Sequence, residues 1–211
     1  MDCRKISFGF GRNREDISPF WGESAPKKRV DRAIEIAKRT GIPLKIAAKI
    51  DPVDKRYFKR VVEPLLRDSS VAEWVGEISD EQKDEFLGNA YALLFPIDWP
   101  EPFGLVMIEA MACGTPVIAY DGGAVSEVVE EGRTGFIVKE LEDAIKAVRR
   151  VPELSRAHCR EVFEKRFTST RMARDYVKVY NRVIGRHVKA RPRGGADDTT
   201  RRLGRKAKTR A

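Results

Sequence analysis

Apolar residues along this chain recur in two alternating rhythms. Short apolar runs at Leu44–Ile50, Val71–Val75, Tyr91–Phe95, Val117–Tyr120 and Phe136–Val138 read as strands, and Ile6–Phe10 reads as a further strand at the start. Between them the period lengthens to that of a helix. Val30, Ala33, Ile34 and Ala37 share one face of a segment Val30–Arg39, which Gly41 should end. Asp51-Pro52 is expected to open a helix reaching about Arg67. Further helices are expected at Asp80–Asn89, from Gly104 to Cys113, and at Ser126–Glu130. From Glu140 the pattern stays helical to Gly185, broken at Pro152.

Strands that alternate with helical segments argue for a parallel sheet with crossover helices. The expected fold class is α/β: a doubly wound, Rossmann-like, mostly parallel six-stranded sheet. Sheets of this kind bind ligands at the carboxyl ends of their strands. That directs attention to the loops after Phe10, Ile50, Val75, Phe95 and Tyr120.

Composition narrows the classes. The chain has 211 residues, 42% hydrophobic and 35% charged, a globular balance. No apolar stretch approaches the roughly 20 residues needed to span a bilayer, and no apolar segment follows the start as in a secretory signal. Three scattered cysteines (Cys3, Cys113, Cys159) form neither a disulfide framework nor a zinc pattern, which suits a cytoplasmic protein. The net charge of +9 sits almost wholly in residues 186–211, which hold ten Lys or Arg and two Asp. That stretch reads as a basic disordered tail. It is taken first as a solubilising end. Peripheral contact with an anionic membrane is the sharper alternative, and nucleic-acid binding is disfavoured because no aromatic residues interleave the cations.

The chemistry concentrates between Phe95 and Val117. A strand ends, a loop with Pro96, Pro100 and Pro102 follows, and a helix begins at Phe103 or Gly104. A helix start presents unpaired N–H groups and a positive dipole end, a seat for phosphate. Gly104 removes a side chain that would obstruct an anion. Glu109 lies on the apolar face of this helix with Leu105, Ile108 and Ala112. Positions three and four residues away are Leu105, Val106, Ala112 and Cys113, so no cation of the same helix can pair with it. A pair of ribose hydroxyls would satisfy such a carboxylate; a side chain tipped out to solvent is the competing reading. The inference holds only if no protein cation already occupies Glu109. Glu101, between two prolines, is placed to meet a sugar hydroxyl or to stabilise positive charge at an anomeric carbon; a solvated loop acid is the alternative.

Glu101-x7-Glu109 with Pro-Phe-Gly between, followed by Gly114-Thr115-Pro116-Val117-Ile118-Ala119, resembles the E-x7-E motif of family 4 glycosyltransferases. The resemblance continues through Val30–Ala37, Val75-Gly76-Glu77-Ile78, Gly122-Gly123 with Glu127, and Gly132-x2-Gly135-Phe136. It covers about residues 20–185 in family order. It implies the second lobe of a two-lobed GT-B fold. The activity it implies is retaining transfer of a hexose from a nucleotide diphosphate sugar, with no metal and no cofactor. Glu109 would hold the ribose and Glu101 the donor sugar. The N–H groups around Phe103, Gly104 and Leu105 would hold the diphosphate. Gly76, Glu77 and Ile78 would contact the base, largely through backbone.

The family also places an Arg and a Lys on the diphosphate as Gly-Arg-x4-Lys. Lys28 fits the Lys. For the Arg there are two assignments. A gapless match puts Glu23 there. The favoured one takes Phe10-Gly11-Arg12 as the strand end, with Arg12 as the cation and an insertion before Lys28. The expected domains are a divergent segment 1–22, a nucleotide-sugar-binding domain 23–185, and the tail 186–211. The acceptor, a sugar or a lipid, would be met by a separate amino-terminal lobe. The helix Arg171–Gly185 would pack back across both lobes or cover its own domain. A non-catalytic nucleotide-sugar-binding module is the alternative function. A dinucleotide oxidoreductase is disfavoured, since Gly9-Phe10-Gly11 has Arg14 where a third glycine belongs.

Overall fold

The computed structural model describes the backbone of residues 18–23 and 26–190, and the side chains of residues 26–185. The strand expected at Ile6–Phe10, the Arg12 cation and most of the basic tail therefore lie outside the described residues. In order the elements are β1 (Ser18–Glu23), α1 (Val30–Thr40), β2 (Leu44–Lys49), α2 (Lys55–Tyr57), α3 (Glu63–Arg67), β3 (Ala72–Gly76), α4 (Asp80–Gly88), β4 (Leu93–Phe95), α5 (Leu105–Ala112), β5 (Val117–Tyr120), α6 (Val125–Val128), β6 (Gly135–Val138), α7 (Leu141–Arg150), α8 (Arg156–Arg166) and α9 (Ser169–Ala190). A π turn over Phe58–Val62 joins α2 to α3.

The architecture is α/β with parallel strands, as the alternating rhythms require. The strands form two hydrogen-bonded sheets of three, β1-β2-β3 and β4-β5-β6, with every pairing parallel. β1 and β4 lie in contact, which sets the two three-stranded sheets side by side with β1 and β4 adjoining. The order reverses between β1 and β4, and crevices at such reversals receive ligands.

The strand that precedes α1 is Ser18–Glu23, paired with β2 from Ser18↔Leu44 to Glu23↔Lys49. The favoured assignment, with Phe10-Gly11-Arg12 as the strand end and Arg12 as the cation, falls outside the described residues. The gapless match, which ends that strand at Glu23, agrees with the pairing.

Local sequence explains most boundaries. α1 buries Val30, Ala33, Ile34 and Ala37, the face its period foretold, along with Ile36. It stops where Gly41 turns left-handed and its N–H donates to the Ala37 carbonyl at 2.8 Å. The helix expected from Asp51-Pro52 begins only at Lys55. Asp51 first caps a turn, accepting from the Val53 N–H at 3.0 Å through its side chain. α4 opens with a capping box: Ser79 Oγ accepts from the Gln82 N–H, and the Ser79 N–H donates to Gln82 Oε1 at 2.9 Å. The long helical tract after Glu140 is interrupted by a 3₁₀ turn at Val151–Glu153 and again before Arg156 and Ser169.

The core runs through α1, the strands and α5, with Ile34, Ile46, Leu93, Met107, Met111 and Ile118 fully buried. The chain divides into two compact units between Thr168 and Ser169. The second contains α9, whose backbone runs on to Ala190, into the stretch expected to be a disordered tail. On α9 Met172, Tyr176, Val179, Tyr180 and Val183 are exposed. Among the described residues no helix is long and apolar enough to cross a membrane.

Candidate functional site

A cavity of about 790 Å³ opens at the carboxyl ends of the strands in the first unit. Its wall gathers Lys28, Glu77, Ile78, Glu101, Phe103, Gly104, Leu105 and Glu109. These segments are far apart in sequence. The parallel topology brings them together, because each lies just beyond the end of a strand or at the start of the helix that follows.

The loop holding Glu101 is fixed on two sides. On one, the Asp98 N–H donates to the Lys27 carbonyl at 2.8 Å. On the other, the Ala124 N–H donates to the Glu101 carbonyl at 2.8 Å. Gly123 lies so close that a Cβ there would stand 2.2 Å from the Glu101 carbonyl oxygen, and its φ of 60° is left-handed. Only glycine serves both demands. The Gly122-Gly123 pair is therefore a backbone rest for the acidic loop.

Gly104 caps the amino end of α5 with φ 73°. A Cβ at this position would meet the Met107 Cε at 2.5 Å. The left-handed backbone thus favours glycine before any ligand is considered, while the methionine end could shift to admit a small side chain. Beyond it Phe103 and Leu105 are 42% and 63% exposed. Leu105 was expected on an apolar face with Ile108 and Ala112; it instead faces the cavity, one turn below Glu109, while α5 is buried on its other sides.

Each acid of the motif has a protein partner. Lys28 Nζ donates to Glu101 Oε2 at 3.0 Å, with both side chains largely buried. The rings of Phe95 and Trp99 lie within 5.9 and 5.2 Å of the same ammonium. Lys83 Nζ of α4 donates to Glu109 Oε1 at 3.2 Å and also meets Asp80 Oδ1 at 3.0 Å. Lys83 is only 8% exposed. Burial disfavours its ammonium, but the hydrogen bonds to Asp80 and Glu109 outweigh this and hold its pKa above the ordinary lysine value.

The Lys83 pair overturns a premise. The sequence argument took Glu109 as a carboxylate without a protein cation, because none stands three or four residues away. The cation comes instead from a neighbouring helix, 26 positions back. Glu109 is not an orphan in search of hydroxyls, so an unpaired carboxylate no longer speaks for a ribose contact, and a ribose role for Glu109 rests on the family resemblance alone. It keeps its place on the cavity wall and the carboxylate oxygen, Oε2, that Lys83 does not take.

A second charged group braces the site from below. Arg29, itself left-handed at φ 53°, donates to both oxygens of Asp31 and reaches Asp98 Oδ2 at 3.2 Å. Asp31 also accepts from the Tyr57 hydroxyl at 3.0 Å. Despite the cost of burial, the Arg29 hydrogen bond keeps the Asp31 carboxyl below its usual range. Arg32 donates to the Pro96 and Ile97 carbonyls, tying α1 to the loop after β4.

Of the residues singled out from sequence, Gly76 stands at the end of β3 with φ 81°, just before Glu77 and Ile78 of the wall. Arg12 lies outside the described residues. Sequence reasoning missed Lys83, Asp80 and Lys49, all on the cavity wall. For Lys83 no local signal existed, since its partner Glu109 lies on another helix.

Residues 4–166 match the family described as Glycosyl transferases group 1. The chain is 32% identical over 172 residues to the D-inositol 3-phosphate glycosyltransferase of Rhodococcus erythropolis, covering 73% of this chain and 38% of that protein. In fold it is similar to Anabaena HepE, solved in complex with UDP and glucose (TM-score 0.72, 18% identity, 79% of this chain and 48% of that one). It is also similar to the C-terminal domain of a glycosyl transferase group 1 family protein, LpcC, from Francisella tularensis (TM-score 0.63, 16% identity, 73% and 87%). The two structures speak for the fold alone. The chain spans about a third of the length of the curated relatives it matches. With the family match running across both sheets and the cavity between them, the chain belongs to the glycosyl transferases group 1.

Proposed function

We propose that this chain binds a nucleotide diphosphate sugar in the cavity at the strand ends and supports transfer of its hexose, with retention, to a sugar or lipid acceptor. One observation carries the reading: the amino end of α5, Glu101, Glu109, Lys28 and the loop Glu77-Ile78 line one cavity. HepE, a fold relative, was solved with UDP and glucose.

In this reading the base rests against the backbone of Gly76, Glu77 and Ile78. Glu109 offers its remaining oxygen to the ribose hydroxyls while Lys83 fixes the other. The first N–H groups of α5 and the Lys28 ammonium receive the diphosphate. Their charge takes up the negative charge that develops as the bond from the anomeric carbon to the diphosphate oxygen breaks. Glu101 faces the sugar. The acceptor hydroxyl attacks the face the diphosphate leaves, and its proton passes to the departing phosphate oxygen. Lysine and helix dipole do this without a metal, so chelators should leave turnover unchanged. A second lobe contributes the acceptor contacts.

A thermal-shift panel of UDP-, GDP- and ADP-sugars tests donor binding. A donor present at 100 times its dissociation constant should add about 2.7 kcal/mol of stability. The reading is lost if no nucleotide sugar shifts the transition and Glu109→Ala changes nothing. Binding without donor hydrolysis or transfer, in the presence of a supplied amino-terminal lobe, would favour a non-catalytic module. The pairing of both acids with lysines is the observation on that side.

A further inference from the structure

The charge on the cavity wall does not suit a diphosphate as it stands. Its lysines are Lys28, Lys49 and Lys83, and its carboxylates outnumber them four to three. Lys28 is already paired with Glu101, and Lys83 with both Asp80 and Glu109. Each cation nearest the motif thus already shares its charge with a carboxylate. A nucleoside diphosphate carries more than one negative charge, and a wall with excess carboxylate repels it. The α5 tip offers roughly half an elementary charge. That alone does not offset the acids.

Lys49 is different. It is the last residue of β2, exposed, and on the cavity wall. Among the described residues no carboxylate pairs with it within salt-bridge distance. The backbone register sets it opposite Glu23, the last residue of β1. It therefore stands at the carboxyl end of the sheet and on the cavity wall, with a long flexible stem that lets its ammonium reach for an anion.

We propose that, given the donor-binding reading above, Lys49 is a further cation that captures the diphosphate of the donor, so that the phosphates lie between Lys49 on β2 and the α5 tip, with Lys28 beside them. The cation expected from a residue at the end of β1, where Glu23 stands, comes instead from the adjoining strand.

The test uses the full chain with UDP, GDP and ADP, and the matching nucleosides, at several salt concentrations. Lys49→Gln should weaken whichever diphosphate binds the parent protein by about tenfold or more. It should flatten the salt dependence and leave the nucleoside unaffected. Lys49→Arg should keep binding within about threefold. Glu23→Gln should leave diphosphate binding equal or tighter. Unchanged diphosphate affinity in Lys49→Gln overturns the assignment. So does equal loss for nucleoside and diphosphate, or equal weakening by Glu23→Gln, which would mark a pair between strands only. If the parent protein binds none of the diphosphates, the donor reading itself fails and takes this one with it.

Discussion

The two halves of the sheet meet the cavity on different terms. In β4-β5-β6 nearly every residue is buried, and the strands are three or four residues long. In β1-β2-β3 the strands are longer, and β3 is half-buried along most of its length. The β4–β6 half is held by backbone fit and by Arg156. That guanidinium donates to the Gly88 and Ala90 carbonyls and to the Thr115 hydroxyl, and burial lowers its pKa. Beside the buried apolar face of β2, the start of α1 carries a charged cluster, Arg29 and Asp31 with the Tyr57 hydroxyl, that reaches Asp98. One side thus supplies a rigid acidic loop and a helix tip. The other supplies cations on more exposed backbone.

The contrast is sharpest at Gly135. A Cβ there would lie 2.0 Å from the Val117 carbonyl oxygen, inside the β5–β6 ladder. Gly135→Val should cost about 3 kcal/mol or more, read by denaturant unfolding, because backbone rather than a flexible side chain must yield. A small loss would show that this half is softer than described. Next comes the bridge between the halves and the ligand. Glu109→Ala should cost about 2 kcal/mol, since the largely buried Lys83 ammonium loses its hydrogen bond to that carboxylate, and should abolish donor stabilisation in the thermal-shift panel.

The smaller effects probe the charged cluster. The folded-state pKa of Asp31 is depressed, so its contribution is present above the unfolded value near 4 and is lost as pH falls through the folded value. The melting temperature of the parent protein should drop below about pH 4. Asp31→Asn should start lower, by about 1 kcal/mol, and show a shallower acid limb. A limb unchanged by the substitution would remove Asp31 from the account. Smallest of all is Leu105→Ala. With the side chain 63% exposed, stability should move by less than about 0.5 kcal/mol.

Much of this was legible in the sequence, and the misses share a cause. α1, α4, α5 and β5 follow from apolar period and local capping, which neighbouring residues settle among themselves. The segment Ser18-Pro-Phe-Trp-Gly-Glu does not announce a strand: proline and glycine both argue against it. It becomes one by pairing with β2, a contact made across 26 residues. The partners of the two glutamates were hidden for the same reason. Lys28 and Glu101 are 73 positions apart, and Lys83 comes to Glu109 from another helix. Spacing rules reach one or two helical turns; pairing between elements lies beyond them. The position of the acids was readable, and the lysines that pair with them were not.

The close seat of Gly123 against Glu101 reaches past this one molecule. Because the acidic loop rests on that glycine and is stitched to Ala124 and Lys27, residues 98–104 cannot be exchanged by themselves. An engineer who transplants them from a relative to alter sugar preference must carry 121–125 and 26–29 along. The three stretches form one inheritable cassette, and variation in any of them is answerable to the other two.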